Sequence, residues 1–179
     1  MQFDYALKTK LPIDLVYKTL RDDLYKLVRY MPDVRSISLI DRTETEDKII
    51  TLNKWEGRNI LPATLSEFIK LENIAWIDRG EWSKTGYLCT WNYDPFIFQE
   101  RINARGQDIF TTDGTQTTIT FTGEIYLNFD QYPFVVVVPA MIRKKIVDEF
   151  TNIILSLIQS NFKALIKGLE QYAEENKLA

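Results

Sequence analysis

Apolar residues recur at three- and four-residue steps along the C-terminal part of the chain, from Ala140 to about Asn176. These steps are made by Ile142, Ile146, Phe150, Ile153, Ile154, Leu157 and Ile158. Polar residues fall on the opposite side, which is the pattern of an amphipathic helix. At about 1.5 Å per residue, such a helix reaches ~50 Å. An apolar face of this length needs an extended partner, and we expect a curved antiparallel sheet.

Most of the preceding chain has the two-residue period of β-strands. Residues 2–11 place Phe3, Tyr5 and Leu7 on one side and charged residues on the other. Further strands are predicted at 34–45, 48–55, 74–83, 87–93, 100–111 and 116–129. The Asp113-Gly114 pair is a typical hairpin turn. Residues 61–71 fit either a helical turn or an irregular strand.

Two short helices are predicted between the first and second strands. They begin after Pro12, are jointed near Asp22 and Asp23, and end before Pro32. The order is therefore one strand, two short helices, about six strands and a long helix. This order predicts an α+β fold in which helices pack on one face of an antiparallel sheet.

Composition favours a single domain covering residues 1–179. The chain has 179 residues, 45% hydrophobic and 13% aromatic, and no linker-like segment divides it. The 22 basic and 25 acidic residues are interspersed, giving a net charge of -3. Without a basic surface, nucleic acid is not an expected partner.

The absence of histidine limits the chemistry that the chain can perform. With 0 histidines, Ser-His-Asp and Cys-His catalysis and His-bearing zinc sites are excluded, and we expect no metal or cofactor. Cys89 is the one cysteine and has no candidate activating base, so it is interpreted as a buried apolar residue. A single cysteine and a start without signal-peptide features predict a cytoplasmic protein.

The element order resembles that of the START-like superfamily, also called the helix-grip or polyketide cyclase/dehydrase and lipid-transport proteins. The resemblance rests on the opening YALKTKLPIDLVYKTL from Tyr5 to Leu20, the Asp113-Gly114 hairpin with its Thr-rich strand, and the terminal helix. It implies a strongly bent sheet of six to seven strands gripping the long helix. It also implies an apolar cavity between them that holds a lipid-like molecule.

Several side chains are candidates to line such a cavity. The sheet candidates are Trp76, Asp78, Trp82, Trp91, Phe121 and Ile125, and the helix candidates are Phe150, Ile154, Leu157 and Asn161. Large aromatics offer area and one polar edge to a flat apolar ligand, although buried aromatics are often simply core. Small residues beside Asn161, namely Ala164 and Gly168, indicate either ligand space or close helix packing.

Carboxylates on the apolar faces are candidate acids or ligand anchors. Alternation places Asp78 with Trp76 and Trp82, and it places Glu100 and Asp108 with Phe110. A carboxyl group on an apolar concave face has a raised pKa. The alternative is that these groups pair with Arg79, Arg101 or Arg105, or lie at a solvated edge.

The run of apolar residues at 132–139 has two interpretations. It is either a final buried strand or an apolar lip at the cavity mouth, where Phe134 and Val136 precede the cation Arg143. Apolar residues beside cations favour shallow docking on an anionic membrane. Peripheral membrane contact is therefore a second expected interaction.

The leading functional hypothesis is binding or transport of a hydrophobic, lipid-like small molecule without catalysis. An enzyme of the cyclase or dehydrase type, using a pocket carboxylate or tyrosine, is the first alternative. A protein-interaction module of co-chaperone type is the second. Ligand identity, oligomeric state, organism and pathway do not follow from the sequence.

Overall fold

A computed structural model describes residues 1–58, 75–95, 102–127 and 140–178, and in β5–β7 and the long helix some of these are described by backbone alone. Seven strands are present: β1 (Gln2–Thr9), β2 (Val34–Glu44), β3 (Lys48–Gly57), β4 (Ala75–Ser83), β5 (Leu88–Pro95), β6 (Ile102–Thr112) and β7 (Thr117–Leu127). The helices are α1 (Ile13–Asp22), a 3₁₀ helix (Leu24–Tyr30) and α2 (Ala140–Glu175).

The strands form one open antiparallel sheet in the order β1-β7-β6-β5-β4-β3-β2. Consecutive strands from β2 to β7 are neighbours, and β1 lies at the edge beside β7. The predicted α+β fold with an antiparallel sheet and a long C-terminal helix is confirmed. The register of each pair determines which side chains share a row across the sheet.

Burial alternates along the strands as the sequence pattern predicts. In β1, Phe3 and Thr9 are buried, while Asp4, Ala6 and Lys8 between them are exposed. In β4, Asp78 and Trp82 are buried and Arg79 is exposed. One face of the sheet is therefore apolar and covered, and we call it the inner face.

The first strand ends at Thr9, two residues earlier than predicted. The Thr9 hydroxyl oxygen accepts a hydrogen bond from the Leu11 backbone N–H at 3.3 Å. This bond closes a local turn where a strand would have a hydrogen bond to the neighbouring strand. The second short helix is also tighter than an α-helix. Its buried residues Leu24 and Leu27 are three positions apart, which matches the three-residue repeat of a 3₁₀ helix.

The C-terminal half of α2 packs on α1, the 3₁₀ helix and the adjoining strands. Leu165, Leu169 and Ala173 of α2 are buried, and they belong to the same cluster as Val16 and Leu27 of the short helices. We call this part of the interior the closed end. The close backbone approaches of α2 among the described elements are to the 3₁₀ helix and to β1, at one edge of the sheet.

None of the helices in the described part of the chain has the length and hydropathy needed to cross a bilayer. The ambiguous segment 61–71 and the apolar run 132–139, with Phe134 and Val136, lie outside the described residues. Their two interpretations stay predictions.

Candidate functional site

A polar row crosses the inner face of the sheet. Asn53 of β3 lies opposite Asp78 of β4, and Asp78 lies opposite Tyr93 of β5. The same row continues through Ala104 to Ile125, which are both buried and apolar. An amide, a carboxyl group and a phenol are thus lined up on a face that also carries large apolar residues such as Trp82 and Trp91.

Asp78 is the buried acid of this row. Asp78 is 8% exposed, and its Oδ2 accepts a hydrogen bond from the Trp55 Nε1–H at 3.2 Å. Burial raises the pKa of Asp78 to about 7, and the indole hydrogen bond offsets only part of this effect. The carboxyl group of Asp78 is therefore a mixture of neutral and ionised forms near neutral pH.

Asp108 of β6 is a second acid on the inner face. Its Oδ1 accepts the Trp91 Nε1–H at 2.8 Å, and its neighbours across the strands are Cys89 and Phe121. Burial is the main cause that raises the pKa of Asp108 to about 8, and the nearby Asp78 raises it further. Two carboxyl groups thus share one poorly hydrated compartment.

Trp91 separates the two acids, and its position depends on two glycines. Gly106 lies opposite Trp91, and Gly123 lies opposite Gly106. A Cβ on Gly106 would stand 2.4 Å from Trp91 Cζ2 and 2.1 Å from the Thr122 carbonyl oxygen, and one on Gly123 would stand 2.8 Å from Trp91 Cη2. The indole therefore lies against strands that cannot carry side chains at these positions.

Further aromatic rings pack around Trp91 on the inner face. Tyr93 stacks on Trp91 with ring centroids 4.6 Å apart, and Phe3 stacks on Trp91 at 6.1 Å. Phe162 of α2 packs against Phe3 at 6.3 Å. The indole, the phenol and the two carboxyl groups form what we call the acidic end, defined by Asp78, Trp91, Tyr93 and Asp108.

The segment of α2 over this aromatic cluster contains Asn161. Leu155, Ile158 and Phe162 pack against the cluster formed by Phe3 and Trp91 with Ala104 and Ile125, and all three are only partly buried. Asn161 Oδ1 is buried and has no hydrogen-bond partner within the described part of the protein. A buried amide oxygen without a partner costs ~1 to 3 kcal/mol, so a polar partner at this position would stabilise the protein.

The alternative, in which the acids pair with arginines, does not occur among the described residues. Arg79 pairs with Glu81, with 3.1 Å between its Nη2 and the carboxylate Oε1, and Arg105 pairs with Glu124. Arg101 and Glu100 lie outside the described residues. The described hydrogen-bond partners of Asp78 and Asp108 are indole N–H groups, which carry no charge.

The remaining sheet candidates divide between the two ends of the interior. Trp82 donates its Nε1–H to Thr51 Oγ1 at 3.1 Å and belongs to the main core cluster. Phe121 is 1% exposed and stacks on Phe162 at 4.1 Å. Trp76 is partly buried and stacks on Trp55 at 5.5 Å. Trp91 and Ile125 lie together in the second cluster.

For Phe150, Ile154, Leu157 and Arg143, the structure places the backbone in α2, and their side chains lie outside the described part. Cys89 is buried, and burial raises the pKa of its thiol well above the usual value, consistent with the interpretation of a buried apolar residue. Gly168 is explained by close packing, because a Cβ there would stand 2.7 Å from Tyr30 Cβ of the 3₁₀ helix. The small residue in this turn therefore serves helix contact.

Sequence reasoning missed Asn53 as a member of the polar row. The available signal was alternation in β3, where Thr51, Asn53 and Trp55 occupy every second position and are all buried. The proximity of Asp108 to Asp78 had no local signal, because they are 30 positions apart on strands separated by β5. Only the register brings them to one compartment.

Comparison with known proteins supports the fold. No protein-family model matches the chain, and no curated protein matches its sequence. The protein TTHA0849 from Thermus thermophilus is similar in structure, with a TM-score of 0.66, 18% identity, and coverage of 96% of this chain and 95% of that one.

Two other solved structures extend this similarity. The Zhui aromatase/cyclase from Streptomyces sp. R1128 has a TM-score of 0.66 and 10% identity, covering 96% of this chain and 94% of its own. A START superfamily protein from Mycobacterium smegmatis has a TM-score of 0.56 and 10% identity, covering 96% and 98% respectively. At these identities the likeness concerns the fold. The chain has the START-like helix-grip fold.

Proposed function

We propose that this protein binds a hydrophobic, lipid-like small molecule between the inner face of the sheet and α2, at the acidic end. The observation that carries this proposal is the combination of aromatic side chains with polar groups that lack charged partners in the described residues. Ligand pockets have this composition, since apolar walls supply affinity and a few polar groups fix orientation.

Two residues of the acidic end, Tyr93 and Asp108, combine partial solvent accessibility with enclosure by protein atoms, which supports an internal cavity. Tyr93 and Asp108 retain part of their accessible surface. Burial is nevertheless the largest cause of their raised pKa values, so protein atoms surround their polar ends. A group that is both enclosed and accessible has the properties expected of a cavity wall.

The contacts of α2 support the same location. Its side chains at the acidic end, Leu155, Ile158 and Phe162, are partly buried, whereas Leu165 and Leu169 at the closed end are buried. The unpartnered Asn161 Oδ1 lies in the less filled segment. A ligand there would cover apolar surface worth about 25 cal/mol per Å² and could supply a donor to Asn161.

The similar structures are consistent with this assignment. One is an aromatase/cyclase and another is a START superfamily protein. The resemblance of this chain to lipid-transport proteins implies an apolar cavity between the sheet and the long helix. The proposed occupant is therefore apolar, and the polar row would contact its polar end.

Native mass spectrometry of freshly purified protein tests the proposal. We expect a bound mass that organic solvent releases and that identifies as an apolar molecule. Trp91→Ala should lower the retained fraction by removing the ring between the two acids, whereas the matched variant Tyr25→Ala, at an exposed residue of the 3₁₀ helix, should not. No extractable mass, together with no binding to a broad lipid panel, would contradict the proposal.

A second candidate function is an enzyme of the cyclase or dehydrase type. It is favoured by Asp78, whose pKa of about 7 suits a general acid or base at neutral pH. Asp78→Asn should then abolish turnover of a polyketide substrate while its binding is kept. Unchanged turnover, or none in the wild-type protein, would leave binding as the function.

Membrane contact and a protein-interaction role are further proposals of lower rank. For the membrane, Val136→Asp should weaken liposome association without unfolding the protein. For the interaction role, a stoichiometric partner should be recovered in the absence of a small ligand. Neither result is required by the ligand-binding proposal.

A further inference from the structure

We propose that the acidic end recognises an organic cation, an amine or a quaternary ammonium group, at the polar end of the apolar ligand. This inference rests on the proposed function, because it names the head group of the same ligand. The group would lie between the carboxyl groups of Asp78 and Asp108, beside the rings of Trp91 and Tyr93. It would supply the positive charge that the described inner-face positions of β3 to β6 lack.

On the central strands of the inner face, the described side chains carry charge of one sign only, and Arg42 of the edge strand β2 pairs with Asp22 and Glu44 instead. The positions of β3 to β6 that share this face and whose side chains are described include two acids and no lysine or arginine: Ile49, Thr51, Asn53, Trp55, Trp76, Asp78, Gly80, Trp82, Cys89, Trp91, Tyr93, Ala104, Gly106, Asp108 and Phe110. Buried carboxyl groups are usually paired with a cation. Asp78 and Asp108 have no cationic partner among these positions, which indicates that the cation comes from the ligand.

The hydrogen bonds of the two acids leave acceptor capacity unused. Each described carboxyl group accepts one indole N–H, at 3.2 Å for Asp78 and 2.8 Å for Asp108. A carboxylate has about four lone-pair sites. The indole donors hold each carboxyl group in one orientation, and the remaining lone pairs are available to a cation.

The surrounding rings fit the same class of ligand. Trp91 and Tyr93 stack at 4.6 Å between the two acids, and Trp55 and Trp76 stack at 5.5 Å beside Asp78. Tryptophan and tyrosine faces attract ammonium groups, and desolvated contacts are worth up to about 2 kcal/mol. Carboxyl groups among such rings favour a cation over an anion of equal size.

The same groups make binding dependent on pH. The described titratable groups facing the acids are Cys89, Tyr93 and the acids themselves, and burial raises the pKa values of the thiol and the phenol well above their usual values. Among these four groups, only the two carboxyl groups therefore change charge between about pH 6 and about pH 8.5. A cation binds their ionised forms, so its affinity should rise with pH and its binding should release protons.

Three probes with the same ten-carbon chain separate the head groups: decyltrimethylammonium, decanol and decanoate. Their affinities for the wild-type protein are measured by titration calorimetry at about pH 6 and about pH 8.5, in two buffers that differ in ionisation enthalpy. The quaternary head keeps its charge throughout this range. We expect it to bind about tenfold more tightly than decanol at the higher pH, to bind more weakly at the lower pH, and to release protons.

Variants place this preference at the acidic end. Asp78→Asn and Asp108→Asn should each reduce the ratio of the affinity for the cation to the affinity for decanol severalfold. Asp4→Asn makes the same change at an exposed position of β1 and should leave the ratio unchanged. Equal reduction by Asp4→Asn would show that net charge causes the preference, and this would overturn the inference.

The remaining outcomes are also distinguishable. Binding of decanol with no preference for the cation, or with preference for decanoate, overturns the inference and leaves the proposed function intact. Absence of binding by all three probes contradicts both. The head-group and pH comparisons use the wild-type protein, so they decide the matter even where a variant fails to fold.

Discussion

The closed end and the acidic end bury the same helix, α2, against different kinds of side chain. At the closed end, Leu165 and Leu169 are buried in the same cluster as aliphatic residues of α1 and the 3₁₀ helix. At the acidic end, Leu155 and Phe162 are partly buried over the cluster that contains the rings of Phe3 and Trp91. One end therefore has the features of a filled core, and the other has those of a binding surface.

On the proposed function, the contrast means that the length of α2 serves two purposes. Its C-terminal half stabilises the fold through aliphatic packing and through the close approach of Gly168 to Tyr30. The segment around Asn161 adds less packing and leaves a buried oxygen without a described partner. If the proposed function is correct, stability and binding depend on separate turns of one helix, and variants should separate them.

The largest expected effect is the loss of packing at the closed end. Leu169 is 0% exposed, so Leu169→Ala should lower the free energy of unfolding by about 3 to 4 kcal/mol. Leu155→Ala, the same change at the acidic end, should cost about 1 kcal/mol because that side chain is already partly exposed. Urea denaturation measures both values, and equal costs would contradict the contrast.

The next effect is a decrease in stability with rising pH. The native pKa values of Asp78 and Asp108, about 7 and about 8, exceed the usual unfolded value of ~4. The native state therefore binds more protons than the unfolded state, and the stability present below about pH 4 is lost as pH rises to about 8. With an unchanged structure the two shifts correspond to about 6 kcal/mol between about pH 5 and about pH 8.5. Relaxation that admits water to the ionised carboxyl groups should reduce the observed decrease to about 3 kcal/mol.

This range is informative because the chain has 0 histidines. The exposed carboxylate of Asp113, whose hydrogen bonds to Thr115 and Gln116 lower its pKa to about 2, acts only in strong acid and with the opposite sign. Replacing both Asp78 and Asp108 by Asn should flatten the decrease, whereas Asp4→Asn should keep it. A flat profile in the wild-type protein would mean that the carboxyl groups are hydrated or paired.

A smaller effect is expected at Gly168. Gly168→Ala gains up to ~1 kcal/mol in helix propensity, but its Cβ would stand 2.7 Å from Tyr30 Cβ. Overpacking costs ~1 to 3 kcal/mol, so the net loss in unfolding free energy should be about 1 to 2 kcal/mol. In a Tyr30→Gly background, which removes that Cβ, the same change should become less costly, and a thermal-denaturation cycle of the four proteins tests this coupling.

The smallest expected effect is a gain. Asn161→Leu removes the unpartnered oxygen from the interior and should raise the unfolding free energy of the unliganded protein by about 1 kcal/mol. It should also weaken the binding of probes with polar heads relative to a hydrocarbon chain. A loss of stability instead would indicate that the oxygen has a partner in the folded protein.

Local pattern was sufficient for much of the fold. Two-residue alternation placed Phe3 and Tyr5 on the inner face of β1 and Asp78 with Trp82 on that of β4. The three- and four-residue steps identified α2. These features are predictable because each depends on neighbours in the sequence.

The site depended on contacts between distant residues, which no local pattern contains. The position of Trp91 over Gly106 and Gly123 requires the register of three strands. The contact between Gly168 and Tyr30 joins residues on separate helices. Sequence reasoning could therefore propose Asp78 as a buried acid, but it could not place Asp108 beside it or choose between the two roles of Gly168.

The most direct test of the central claim is an NMR titration of the protein with decanol, following the indole N–H of Trp91 and the methyl groups of Leu155, Ile158 and Leu169. A ligand at the acidic end should shift the first three sets of signals and leave the Leu169 methyl groups unchanged, because that residue lies in the closed end. Shifts at Leu169 without shifts at Trp91, or no shifts at saturating decanol, would contradict it.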